Sequence, residues 1–509
     1  MTLLLGVDLG TTAIKAGLYE VTGELVASGS SEQRLRTPAP GMVEFDPDTY
    51  WQGFVDLVRH VVSAVPGGPS GVGGLALSVQ GETLVATDGE GRALRPAIVW
   101  LDNRAAAQSD HLRAHFGNQT IFEVTGQPEM LPTWPAAKIL WLRDHEPETF
   151  KRVSRWLLLE DYFIQRLTGE VWCEGSLTTS TCYWNLRTRR WWPEMLEAIG
   201  IDETRLPRIG ESGDVVGPLR PSVAAELGLR RNTIVSLGAL DQACGAIGVG
   251  NVRTGIFSEN TGAALAVCAT VDRPVLDPNR RIPCHHHGLA GMYMLHTFTS
   301  GGILLRWWRD EFARSDAGEY ETTGGYDELT SMAASVAPGS EGVMVVPHLQ
   351  GAMAPDPDPH ASAAITGLRL HHGQAHVVRA MLESIAYVVR RNLEAIADMG
   401  VEVHEIRALG GGARSALWKQ IEASVAGVPV VITSCLEPAT LGAAMLGGMG
   451  AGVFDDLEGA INSAVRTAAR FEPDPVDQGV YQSGYERYCE LSQTLGRLGG
   501  RHQELIDAS

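Results

Sequence analysis

Leu3-Leu4-Leu5-Gly6-Val7-Asp8-Leu9-Gly10-Thr11-Thr12-Ala13-Ile14-Lys15 carries the pattern on which the fold turns. Leu3 to Asp8 is an apolar strand ending on an acid, Gly10-Thr11-Thr12 is a turn, and Ala13 to Tyr19 is a second strand. A turn at Thr22-Gly23-Glu24 leads into a third strand, Leu25 to Ser30, so the chain opens as a β-meander. A strand that ends in Asp and runs into a glycine and threonine turn has the parts of a Mg2+–phosphate site. Turn amides and hydroxyls donate to phosphoryl oxygens, Asp8 can hold a metal directly or through water, and Lys15 adds a point charge. Taken alone, the stretch also suits an ordinary hairpin with an acid at its strand end.

Beyond the meander, apolar residues Trp51, Phe54, Val55, Val58, Val61, Val62 and Val65 recur at the helical period, with Asp46-Pro47 as cap. A strand at Gly74 to Val79 follows. Near Gly250 the opening design restarts, with strands Gly255 to Glu259 and Ala264 to Ala269 about the turn Asn260-Thr261-Gly262. This spacing suggests an internal duplication with ligand between the halves. Helices are expected at about Ala375–Met399, Ser415–Ala426 and Val480–Leu505, and the Gly- and Ala-rich stretch Leu441 to Gly450 allows close helix packing.

A chain of 509 residues is too long for one ordinary core, so at least two domains are expected. Its net charge of −19 runs against nucleic-acid or anionic-membrane binding. The seven cysteines include no CxxC pair and read as reduced thiols, Leu3-Leu4-Leu5 is too short for a signal region, and a cytoplasmic location is expected.

Two further motifs carry chemistry. Asp241 follows the apolar strand Thr233 to Leu237 and opens a small-residue helix through Gly245, Gly248 and Gly250. An Asp there can take the proton of an attacking hydroxyl in phosphoryl transfer, or simply cap the helix. Gly410-Gly411-Gly412, between a strand and the helix bearing Trp418, lets backbone lie flat against a base or sugar. Cys284-His285-His286-His287 reads as a structural or substrate-adjacent loop more than a metal site. Trp191, Trp192, Trp307 and Trp308 read as packing.

In this order the motifs resemble the FGGY carbohydrate kinases, of the actin–hexokinase–chaperone ATPase superfamily, over Leu3 to about Gly450. The stretch from Pro135-Ala136-Ala137-Lys138 to His145 fits the first family signature, except for Thr133 at its leading position. Ala363-Ala364-Ile365-Thr366-Gly367-Leu368 with His376 to Glu383 fits the second. The resemblance implies an α/β fold of two actin-like (ribonuclease H-like) ATPase domains with an interdomain cleft. It implies an N-terminal domain at 1–251, a C-terminal domain at 252–465 and a helical segment at 466–509.

It further implies Asp241 as base and Asp8 as the Mg2+ residue. Gly10, Thr11, Thr12 and Lys15 sit where the family holds phosphates, and Thr261 and Gly262 occupy the matching turn. Glu259-Asn260 departs from the usual form there. Gly302, Gly411, Gly412 and Ser415 fall on the adenosine side. On the sugar side, Val79-Gln80-Gly81-Glu82-Thr83 falls where xylulokinases carry Met-His-Gly, with Gln80 in place of the histidine and Glu82 where glycerol kinases place a substrate-binding glutamate. Trp100-Leu101-Asp102-Asn103-Arg104 resembles the xylulokinase W-N-D-G-R segment. Asp102 and Arg104 either bond sugar hydroxyls or form a structural ion pair.

The implied reaction is ATP-dependent phosphorylation of a ketose or polyol, foremost D-xylulose to xylulose 5-phosphate, with L-xylulose, ribulose, glycerol and erythritol as alternatives. A non-catalytic nucleotide switch on the same fold is the alternative of another class. The implied partners are the sugar or polyol, ATP and Mg2+, with no nucleic acid or membrane; a homodimer stays open.

Overall fold

The computed structural model describes residues 2–262, 264–312 and 324–507. The backbone forms two compact units: Met1–Val252, Thr270–Met294 and Cys435–Arg466 in the first; Arg253–Ala269, Leu295–Ser434 and Thr467–Ser509 in the second. The first change of unit falls between Val252 and Arg253. Two later segments then return to the first unit, and the tail joins the second instead of standing apart. The reason is packing: the helix Pro438–Gly450 completes the first core, and the strand Thr467–Phe471 pairs with Val430–Thr433 in the second.

In the first unit the strand Leu3–Leu9 lies between antiparallel Ala13–Glu20 and parallel Val72–Val79, so Asp8 stands opposite both Lys15 and Ser78. Leu25–Glu32 extends the meander. Ile234–Ser236 and then Ala239–Leu240 add to Val72–Val79 in parallel. That strand's nearly unbroken apolar run is what a strand covered on both faces requires. One cover is the helix Pro438–Gly450; the helix Pro47–Ser63, capped by Asp46 accepting the Asp48 N–H at 2.9 Å and buried along Trp51, Phe54, Val58 and Val61, packs on the neighbouring strands Ala13–Glu20 and Leu25–Glu32. Trp184, Trp191 and Trp192 sit in a hydrophobic cluster of the same unit, as packing residues should.

The helix Pro438–Gly450 lies backbone against backbone. A Cβ on Gly6 would fall 1.8 Å from the Thr440 carbonyl oxygen, one on Gly248 1.9 Å from that of Pro438, and one on Gly442 2.0 Å from that of Cys244. Real Cβ atoms do not approach so closely, so this seam admits only glycine.

In the second unit Ile256–Thr261 lies between antiparallel Ala264–Val271 and parallel Glu405–Leu409, repeating the pairing scheme of the opening strand. Val430–Thr433 follows in parallel. The helices Gln374–Ala397, Ala416–Ala426 and Pro475–Asp507 match those expected. Arg379 ties two of them, bonding Glu383 at 2.9 Å and the Tyr481 hydroxyl at 2.7 Å. All seven cysteines are free. Among the described residues no helix is long and apolar enough to cross a membrane.

Gly442→Ala is expected to destabilise the first unit by about 1–3 kcal/mol or more. Gly479→Ala meets nothing within 4 Å in its helix and is expected to be neutral or stabilising by up to about 1 kcal/mol. Equal denaturation midpoints for the two variants contradict the seam.

Candidate active site

Leu9 and Leu240 are both register partners of Val79. Gly10, Gln80 and Asp241 therefore follow at one level beyond the carboxyl ends of three adjacent parallel strands, the end at which open α/β sheets bind ligands. Asp241 is the first residue of the helix Asp241–Gly248, and its Oδ1 accepts the Gln242 N–H at 2.7 Å. Asp8, one residue short of its strand end, accepts the Ser78 hydroxyl at 2.6 Å.

Burial raises all three acids of this site, and Asp241 is raised further by its acidic neighbours. Burial, then the charges of Asp8 and Glu82, push Asp241 up to about 7 against the Gln242 hydrogen bond. Burial lifts Asp8 to about 6, opposed by Ser78 and Lys15. Burial also raises Glu82, opposed by the Ser180 hydroxyl and the Lys138 ammonium. Glu82 holds a left-handed backbone, φ 54°, a conformation that costs a non-glycine residue energy and clusters at functional sites.

Gln80 is 3% exposed. Its Oε1 accepts from the Thr11 and Thr83 hydroxyls at 3.2 Å each, and Thr11 in turn accepts the Trp100 indole N–H at 2.8 Å. The Gln80 Nε2 is buried without a hydrogen-bond partner among the described residues, which leaves a donor for a ligand oxygen. The turn is further held by the Tyr50 hydroxyl on the Gly10 carbonyl at 2.7 Å. Thr12 is exposed beside it.

The cations nearby are already engaged. Lys15 pairs with Glu437 at 2.9 Å. Arg104, its side chain 2% exposed, pairs with Asp102 and with Glu44, both at 2.7 Å. Asp102 and Arg104 thus form an ion pair, one of the two roles open to them. Asp102 also accepts the Val43 N–H at 2.5 Å. Lys138, fully buried, donates to the carbonyls of Glu82 and Val99 at 2.9 Å each, and burial lowers its pKa. Lys138 lies within the first family signature, and its place beneath Glu82 has no local signal in the sequence.

The second unit gathers its own candidates. The Gly302 N–H donates to the Gly262 carbonyl at 2.9 Å. A Cβ on Gly412 would fall 2.8 Å from the Thr261 Cβ, so the Gly411-Gly412 turn packs directly on Thr261. Ser415 caps the following helix, its hydroxyl accepting the Trp418 N–H at 3.3 Å. The Thr261 hydroxyl bonds Glu259, the residue that departs from the family form. Glu259 is neutralised: Lys419 reaches it at 3.0 Å and Glu422 at 2.6 Å, all three side chains fully buried. Lys419 lies too far along the chain for Glu259 to have announced it.

The run Cys284–His287 is buried. His287 Nε2 lies 3.2 Å from the Asn251 carbonyl, and burial lowers His286 to about 3 and His287 to about 4. Among the described residues the one grouping of three potential metal ligands is Glu341, His371 and His372, so this run forms none.

Comparison with known proteins gives the family. The N-terminal domain pattern of the FGGY family of carbohydrate kinases matches residues 3–248, and its C-terminal domain pattern matches residues 268–451. A xylulose kinase of Bacillus subtilis is 28% identical, over 96% of this chain and 97% of that protein. A gluconokinase of the same organism is also 28% identical, over 97% and 96%. A ligand-bound xylulose kinase structure from Lactobacillus acidophilus superposes with a TM-score of 0.89 at 27% identity, covering 99% of this chain and all of that one.

Asp241 has a stability consequence. Its folded pKa near 7 lies above the ordinary 3.8, so the folded chain holds this proton more tightly than the unfolded chain. The stability this gives is whole below pH 3.8 and is lost as pH rises through 7. Asp241→Asn escapes that loss. It is expected to raise the melting temperature by roughly a few degrees near pH 8 and by less near pH 5. A variant no more stable than the parent at the higher pH contradicts the burial of this charge.

Proposed function

The chain belongs to the FGGY family of carbohydrate kinases, and from that premise we propose that it transfers the γ-phosphoryl group of ATP to a hydroxyl of a neutral ketose or polyol, D-xylulose foremost. The observation that carries this reading is Asp241, set beside Asp8 at the ends of three parallel strands and raised to about 7. A base of that strength is matched to neutral pH.

In the proposed reaction Asp241 accepts the proton of the substrate hydroxyl as its oxygen attacks the γ-phosphorus, and ADP departs. Gln80 Nε2 donates to a substrate oxygen, its orientation set by Thr11 and Thr83. The Glu82 carboxyl takes a second hydroxyl. Gly10 and Thr11 supply an amide and a hydroxyl for phosphoryl oxygens, and the second unit's Thr261, Gly262, Gly302, Gly411 and Gly412 form the nucleotide turns. Asp8 would hold a divalent cation: burial raises its carboxyl, its charge raises Asp241, and Lys15 is engaged with Glu437. Bound there, Mg2+ supplies charge neutralisation for the phosphates.

Relatives named xylulose kinase and gluconokinase are equally similar, so identity does not choose the substrate. Charge supports a neutral one. Asp8, Glu82 and Asp241 are acidic, while Lys15, Arg104 and Lys138 of the same unit are already bound. A substrate carboxylate roughly 8 Å from one unpaired acid loses about 2 kcal/mol at an effective dielectric of about 20. Two such acids imply a penalty of about 100-fold or more.

ADP release is to be measured over D-xylulose, L-xylulose, ribulose, glycerol, erythritol and gluconate. The expected outcome is highest kcat/KM on a neutral ketose or polyol, with gluconate at least about 100-fold lower. Gluconate as the best substrate overturns the charge argument. Asp241→Asn is expected to lower kcat by about 10²- to 10⁴-fold with ATP affinity nearly unchanged. Retained turnover sinks the proposed base.

A further inference from the structure

Ala239 faces the sheet through its register with Ser78, while the N–H groups on either side of it, at Gly238 and Leu240, point the other way. Such outward groups on a sheet edge need partners. Here they find side chains. Gly238 N–H donates to Glu160 Oε1 at 2.7 Å, and Leu240 N–H donates to Ser176 Oγ at 2.9 Å. Ser176 is fully buried and its own hydroxyl donates to Glu174 Oε1 at 2.7 Å. Glu174 is saturated: it also accepts the Ser176 N–H at 2.6 Å, the Leu177 N–H at 2.7 Å and the Ser212 hydroxyl at 3.1 Å.

The Ser176 hydroxyl is thereby oriented in one sense, proton to Glu174 and lone pair to Leu240. Leu240 is the residue before Asp241. We propose that Ser176, seated by Glu174, is a positioning residue for the proposed base, fixing the Leu240 peptide from which Asp241 projects; the inference rests on the reading of Asp241 as proton acceptor. Glu160 supports the same segment one step earlier. Burial and the neighbouring Glu174 and Asp161 charges raise it well above the usual carboxylate range, opposed by the Gly238 hydrogen bond. None of these three side chains needs to touch substrate.

The test is a double-mutant cycle between Ser176→Ala and Asp241→Asn, read in single turnovers with KM for sugar and ATP and with melting temperature. Ser176→Ala alone is expected to lower kcat by about 10- to 100-fold, since displacements on the order of 1 Å cost that much, with both KM values within about threefold. In the Asp241→Asn background the same change should alter the rate by less than about twofold, because the group it positions is gone. Ser176→Cys keeps the side-chain volume with a poorer acceptor and serves the same cycle if the alanine variant does not fold. An equal loss in both backgrounds, or no loss in kcat, overturns the positioning role. Near-normal turnover by Asp241→Asn itself overturns instead the reading of Asp241 as base, whatever Ser176→Ala does.

Discussion

Backbone lies on backbone along the helix Pro438–Gly450, and the rest of the first unit depends on that contact. Gly6 on the first strand, Gly248 on the helix that Asp241 opens, and Gly442 on the packing helix leave no room for a Cβ between them. The seam fixes the helix of Asp241 against the strand that carries Asp8. A segment more than 430 residues along the chain thus becomes part of the scaffold under the first turn. Close-packed interiors transmit small shifts instead of absorbing them, so the separation of the two carboxyls is set by main-chain geometry. Strand register then places Gly10, Gln80 and Asp241 at one level.

Against that rigid frame the site is electrostatically unfavourable on its own. Asp8 and Glu82 both repel charge on Asp241, and the neighbouring lysines and arginine are turned to Glu437, to carbonyls, or to Asp102 and Glu44. Folding stability is given up where negative charge is concentrated at the site of the proposed metal and proton acceptor, a common relation between stability and activity. The Gln80 donor left without a partner belongs to the same economy.

Much of this was legible in the sequence. The meander, the helix beginning at Pro47 and the Asp8 and Asp241 motifs depend on local patterns: alternation, helical period, a cap, an acid at a strand end. The repeated pairing scheme of the second unit was legible for the same reason. What stayed hidden is long-range. Lys138 beneath Glu82, Lys419 against Glu259, and Ser176 on Leu240 join residues 56, 160 and 64 positions apart, and no local spacing encodes such meetings. The ion pair of Asp102 with Arg104 was left open in sequence because its third member, Glu44, lies on another strand. The interleaving of the two units was likewise out of reach, since it depends on where the helix Pro438–Gly450 packs and not on its composition.

In the proposed reaction a proton-accepting carboxylate, held near neutrality by its surroundings, governs the rate. The pH dependence of kcat/KM for the phosphorylated sugar, measured well below the KM of both substrates, tests it most directly. With Asp241 as the base, kcat/KM rises with unit slope and levels off near pH 7, where Asp241 loses its proton. A rate flat from about pH 5 to 8, on a chain that stays folded throughout, contradicts it.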